Sequence, residues 1–150
     1  MADPITVEIK RLPGNEDLVL PRKMTEHAAG FDLSAAVKEP VLLAPGEIRL
    51  IPCGFCMAVP AAYEAQIRPR SGLAVKHGIT LINTPGTIDA DYRGEVQVPV
   101  INLGQQNFTV ERGMRIAQML IAPVPAVRMV EVDELDETVR GNGGFGHTGR

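Results

Sequence analysis

The sequence predicts an all-β fold of many short strands joined by turns, and three observations lead there. First, 15 glycines and 12 prolines punctuate the 150 residues; the longest stretch free of both is Ala126–Arg140, and every other is nine residues or fewer. Helices averaging about 11–12 residues have no room in such a chain, which sets aside bundles, coiled coils and doubly wound α/β sheets. Second, several segments alternate apolar and polar residues with the period of a half-buried strand. Third, no apolar run approaches the ~20 residues of a membrane-spanning helix. A chain of this length is expected to form one domain and to fold without disulfides.

The elements follow in order. Val7-Glu-Ile-Lys10 opens the alternation. Ala29-Gly-Phe-Asp-Leu-Ser-Ala-Ala36 reads as an apolar strand carrying one acid, Asp32, which needs a partner in such surroundings. Glu47–Ile51 and Tyr63–Arg68 alternate again, and Ser71–His77 is expected to form a short helical turn. Residues 83–94 form a loop with turn signals at Pro85-Gly86 and Arg93-Gly94. Glu95–Asn102 puts Val96, Val98 and Val100 on one face. Pro99 has no N–H to donate, so this strand is expected to lie locally at an edge or bulge. Asn107–Val110 and Arg115–Ala122 complete the set.

We expect a β domain over residues 1–130 and an arm over 131–150. The arm begins with five acids within Glu131–Arg140 and ends in a glycine-rich run that cannot bury enough apolar surface to offset its ordering entropy. Its glycines match a dinucleotide fingerprint by spacing alone, because no strand precedes them and no helix follows. Extended from 131 to 147, the arm reaches at most about 55 Å, far enough to touch a neighbouring subunit.

The net charge of −3 means that an anionic ligand must be held by a local basic cluster. Nucleic acid is disfavoured as a partner, since no basic stripe with interleaved aromatics is present. Two cysteines and a start without basic or apolar character imply a reducing, cytoplasmic location. Cys53-Gly-Phe-Cys56 has C-x-x-C spacing, but His27, His77 and His147 supply no second ligand pair at zinc spacing, so both read as core cysteines.

Chemistry concentrates in five places. Arg68-Pro-Arg70-Ser71-Gly72 offers guanidinium, hydroxyl and backbone N–H groups to an oxyanion. Arg112-Gly-Met-Arg115-Ile-Ala-Gln118 is similar, but at strand spacing Arg115 and Gln118 face opposite ways unless the strand ends or bulges. Asp89, Asp91 and Tyr92 lie on the 83–94 loop, and Asp32 on the apolar strand. The arm brings Arg140, Phe145, Gly146, His147, Thr148 and Arg150.

Together and in order, these five segments resemble the trimeric dUTPases, with Asn83 through Glu95 as the third motif and Arg140 through Gly149 as the fifth. The resemblance runs from about Val7 to Arg150. Two positions depart from it: Thr87 stands where several members carry a larger aliphatic residue, and His147 where many carry Ser.

The resemblance implies a distorted jelly-roll-like β-barrel and a homotrimer whose active sites are shared, and with it the face of Val96, Val98 and Val100 is expected to line the three-fold axis between subunits. It implies hydrolysis of dUTP to dUMP and pyrophosphate, which limits uracil in DNA and supplies dUMP for thymidylate synthesis. Asp89 matches the water-activating carboxylate. Arg70, Ser71, Gly72 and Gln118 match phosphate contacts. Asn83 matches the reader of the uracil edge, Gly86, Thr87 and Ile88 the hairpin backbone around the base, and Tyr92 the ring against deoxyribose. Arg140, Gly146, His147 and Thr148 match the closing arm, with Phe145 stacked over uracil. Mg²⁺ is implied on the triphosphate, held indirectly through water by Asp32 and Gln118. The related dCTP deaminases place a catalytic Glu ten residues after the shared Ile-Asp pair; that position here is Pro99, which transfers no proton. An inactive interaction module of the same fold is expected to lack the carboxylate or the arm, and both are present.

Overall fold

A computed structural model describes residues 4–149; residues 1–3 and Arg150 lie outside the described part. The chain forms β1 (Glu8–Arg11), β2 (Phe31–Ser34), β3 (Val41–Leu43), β4 (Ile48–Ala58), β5 (Tyr63–Pro69), α1 (Ser71–His77), β6 (Ile79–Leu81), β7 (Gly86–Ile88), β8 (Glu95–Asn102), β9 (Phe108–Val110) and β10 (Arg115–Pro123). The fold is all-β apart from α1. One four-stranded sheet runs β1-β4-β8-β6, a second runs β2-β10-β5-β7, and β3 pairs with β9. All pairings between these strands are antiparallel. The described sheets share one core without closing into a continuous barrel.

That core draws on every sheet. Leu33, Leu43, Ile51, Ile67, Leu81, Val98, Val110 and Ile116 are all buried within it. Val96, Val98 and Val100 are fully buried there too, so they do not form the intersubunit face expected of them. Alternation places residues on a common face but does not say whether that face meets the chain's own core or a neighbour.

Pro99 lies within an interior strand and is tolerated for a local reason. Its carbonyl accepts from the N–H of Ile82, one residue beyond the end of β6. Paired antiparallel residues exchange both backbone bonds, so the missing Pro99 N–H also faces the side where β6 has run out. β4 is longer than the alternation predicts because a register shift between Pro52 and Cys56 carries it onward. Gly54 sits in that shift at φ 75°, a left-handed conformation suited to glycine. Its N–H donates to the Glu95 carboxylate at 3.0 Å, tying the shift to the start of β8.

Candidate active site

The second sheet sets four of the five motif segments side by side, in the order first, fourth, second, third, through β2, β10, β5 and β7. A register shift between Arg115 and Ala117 resolves the conflict between Arg115 and Gln118. Arg115 pairs with Ser34 and Gln118 with Asp32, two positions that share a face of β2. The extra residue of the bulge thus turns both side chains the same way.

On that face the Arg115 guanidinium bonds the Asp32 carboxylate at 2.8 Å. Asp32 thereby has the partner that its apolar strand demands. Arg70 in turn donates to the Arg115 carbonyl at 3.0 Å, and the Gln118 amide donates to the Pro69 carbonyl at 3.2 Å. These contacts draw the end of β5, the start of α1 and the bulged end of β10 together. Ser71 and Gly72, at that junction, are exposed. A cleft of about 320 Å³ carries Arg22, Asp32, Ser34 and Arg115.

The structure adds residues to this half of the site. Arg115 itself was visible in the sequence, but only the bulge brings it beside Asp32. Gly30 is another: a Cβ there would fall 2.7 Å from Gln118 Oε1, so its bareness leaves the space in which Gln118 lies. Arg112 holds the preceding turn, bonding both Asp17 carboxylate oxygens (2.7 and 2.9 Å) and the carbonyls of Gly14 and Val37. The hydrogen-bonded Arg112 guanidinium keeps the Asp17 carboxyl below its ordinary range.

The third motif forms a separate half-site. Asn83, Thr87, Ile88, Asp89 and Tyr92 line a second cleft of about 320 Å³ with Leu50, Gln97 and Pro99. Asp89 is exposed, and its carbonyl accepts from the Tyr92 N–H at 3.2 Å to close a turn. The Tyr92 hydroxyl donates to the Glu95 carbonyl at 2.9 Å. Gly86 is buried against Ile67, and Asp91 points to solvent.

The arm stands clear of both halves. Arg140, Phe145, Gly146, His147 and Thr148 are all exposed. Its hydrogen bonds are internal turns: Gly143 to Arg140, His147 to Gly144 and Gly149 to Gly146, with Arg140 Nε on the Gly143 carbonyl. Phe145 adopts φ 48° and Gly146 φ 89°, which turns the chain sharply beneath the phenyl ring. One chain therefore brings Arg70, Ser71, Gly72, Gln118 and Asp32 together, but not Asp89 or the arm.

Among the described residues, no cluster of three or more His, Cys, Asp or Glu side chains could hold a metal ion. The donors in the half that holds Arg70 and Arg115 include one carboxylate, Asp32, and one amide, Gln118. That set fits a hard cation such as Mg²⁺ that keeps its waters and takes phosphate oxygens, not an all-protein cage.

A family model described as dUTPase matches residues 16–149. The chain belongs to the dUTPase family. The deoxyuridine 5'-triphosphate nucleotidohydrolase of Maricaulis maris (strain MCS10) is 60% identical over 147 residues, covering 97% of each chain. The dUTPase of Staphylococcus bacteriophage 80alpha, solved with dUpNHpp, superposes with a TM-score of 0.86 at 25% identity, covering 97% of this chain and 99% of that one. A mutant dUTPase of phage phi11 of S. aureus, solved to show how a structural Mg(II) ion is coordinated, gives 0.76 at 21% identity over 86% and 97% of the two chains. At that identity the likeness to the phi11 protein is one of fold.

Proposed function

We propose that this protein hydrolyses dUTP to dUMP and pyrophosphate, with Mg²⁺ on the triphosphate, in active sites assembled from three copies of the chain. The observation that carries the shared site is the spacing along β5. Asp89 follows Ile88, which pairs with Ala65, whereas Gln118 pairs with Arg68 and Ser71 lies beyond Pro69. From Ala65 to Pro69 the strand advances about 13 Å. A water-activating carboxylate must sit within one water of the phosphorus it serves. Within one chain, Asp89 is too far from the phosphate contacts to do so. A second copy that supplies one of the halves meets this requirement, and the free-standing arm fits a third contribution.

The surface supports assembly. Ile48, Leu50 and Ile82 are exposed by 51%, 59% and 53%, and Leu50 pairs with Pro99, which also accepts from Ile82. This apolar row on the first sheet adjoins the Asp89 cleft, since Leu50 and Pro99 line both. A further apolar series, Val127, Met129, Val130 and Val132, runs exposed after β10. We assign residues 1–130 to the β domain and 131–150 to the arm.

The residues then divide the work. Arg70, Ser71, Gly72 and Gln118 hold the phosphates. Asp89 accepts a proton from water as its oxygen bonds to the α-phosphorus. The bond from that phosphorus to the bridging oxygen breaks, and pyrophosphate leaves. When bound, Mg²⁺ supplies neutralisation of the triphosphate, and Asp32 and Gln118 would hold its water shell. Asn83 reads the polar edge of uracil, and the backbone at Gly86, Thr87 and Ile88 leaves no space for a C5 methyl. Tight packing there adds repulsion to the ~1–3 kcal/mol that a methyl is worth in a loose pocket. Tyr92 covers the deoxyribose. Arg140, His147 and Thr148 close on the γ-phosphate, with Phe145 over uracil and Gly146 making the turn.

No described helix is long and apolar enough to cross a membrane, and a cytoplasmic location belongs to the same proposal. The test is pyrophosphate release from dUTP, dTTP, dCTP and UTP, with and without Mg²⁺, alongside sedimentation equilibrium. We expect release from dUTP alone, dependent on Mg²⁺, and a mass three times the 16.2 kDa of one chain. A fully active monomer would overturn the shared site. Deamination of dCTP would overturn the reaction.

A further inference from the structure

We propose that Gly94 is a positioning residue for sugar discrimination: its missing side chain lets the Tyr92 ring lie where it excludes a ribose 2′-hydroxyl. The inference rests on the assignment of Tyr92 to the deoxyribose. Gly94 is not among the glycines with positive φ, so its backbone is open to any L-residue. Nor does packing against a distant segment require glycine. The three atoms nearest to a Cβ built at Gly94 all belong to Tyr92: Cζ at 2.7 Å, Cε2 at 3.1 Å and the hydroxyl oxygen closer still. The hydroxyl end of the ring lies over residue 94.

The ring is fixed at both ends. Its own backbone N–H closes the turn onto Asp89, and its hydroxyl donates to the Glu95 carbonyl. That acceptor is itself held, because the Glu95 side chain accepts from the Gly54 N–H. Tyr92 also lines the cleft of Asn83, Thr87 and Asp89. A methyl group at residue 94 cannot share this space. It displaces the ring and breaks the Tyr92–Glu95 bond, and the wall against the sugar is lost. Gly94 itself touches no nucleotide in this arrangement. Its effect passes wholly through Tyr92.

The experiment is a double-mutant cycle in the full-length assembled enzyme: wild type, Gly94→Ala, Tyr92→Ala and the double variant, assayed on dUTP and UTP. Gly94→Ala should lower the dUTP-to-UTP ratio of kcat/KM by about tenfold or more, the scale of one small group in a fitted pocket. In the Tyr92→Ala background the same change should alter the ratio by no more than about twofold, the margin within which independent effects add. A second readout does not depend on activity. The chain has two tyrosines, so Tyr63→Phe leaves Tyr92 as the sole source of ring-labelled NMR signals. Gly94→Ala should shift those signals and broaden them in the free enzyme. Unchanged ring signals, or an equal loss of selectivity with and without the Tyr92 ring, would overturn the proposal. If Gly94→Ala fails to fold, the double variant decides: removing the ring should restore folding, and failure of both would show a backbone requirement instead. Should Tyr92→Ala leave sugar selectivity intact, the assignment of Tyr92 is what fails, and the ring signals still decide whether Gly94 seats it.

Discussion

Ending the chain at Arg140 should separate the arm's contribution to turnover from any contribution to folding. The removed segment includes Phe145, His147 and Thr148, and its described hydrogen bonds lie within residues 138–149. None of its side chains belongs to the core. Truncation therefore takes away no buried apolar area, and the melting temperature should stay within about 2 °C, less than a 1 kcal/mol change would produce in a small domain. Turnover should respond differently. Stacking of a base on an aromatic ring is worth about 1–3 kcal/mol, and a hydrogen bond to a charged phosphate about 1.5–3 kcal/mol. If both act mainly at the transition state, their loss lowers kcat by about 10²–10⁴-fold, at ~1.4 kcal/mol per factor of ten.

Ordering ten flexible residues costs about 1–2 kcal/mol each in the limit of a fully disordered arm, more than those two contacts supply. The local turns at residues 140–149 reduce that cost, because they restrict the backbone before nucleotide arrives. The assay compares steady-state dUTP hydrolysis and thermal unfolding of the full-length and truncated proteins. Full turnover by the truncated protein would refute the reasoning and leave the arm a tail.

Three further outcomes follow from other parts of the molecule. Asp89→Asn keeps the size of the side chain but removes the base, so kcat should fall by at least about 10²-fold with KM little changed, read by pyrophosphate release; retained turnover would move the role to Asp91. Asp17, held below its ordinary value of 3.8 by Arg112, binds its proton more readily unfolded than folded. Its stabilisation is therefore complete above that value and fades as pH falls through the lower folded one; urea midpoints of wild type and Asp17→Asn should differ at pH 7 and converge in acid. Burial, with the Glu95 charge adding to it, pushes the Cys53 thiol up to about 12. Iodoacetamide at pH 8 should thus modify the half-buried Cys56 and spare Cys53 until denaturant is added, as peptide mass mapping would show.

Much of the fold was legible because breakers and alternation report directly on the backbone. Ser71–His77 and Glu95–Asn102 emerge with the bounds read from sequence, and β5 and β10 each run one residue further. β3, β6 and β7 were missed as strands, since three residues are too few to show a period. The bulge at Gly54 was invisible, and the one after Arg115 stood only as an alternative, for another reason: an extra residue in a strand depends on its partner's register. That second bulge decides which side chains meet. The motif spacing alone left Arg115 and Gln118 on opposite faces, and only the pairing with Ser34 and Asp32 sets them together. What Gly30 and Gly94 make room for was not legible, because it lies elsewhere in the chain or folds back over the glycine.

The separation of Asp89 from Ser71 and Gln118 along β5 has a consequence for inheritance. In the proposed trimer, a chain lacking Asp89 would damage the site to which it lends its hairpin; a chain lacking its arm would damage a different one. A copy with both defects, mixed into an otherwise sound trimer of that kind, would silence two sites of three, while two singly defective chains of different kinds could compensate for each other where their intact parts meet. Faults in such an assembly are shared among its members, so the harm of an allele depends on the company it keeps.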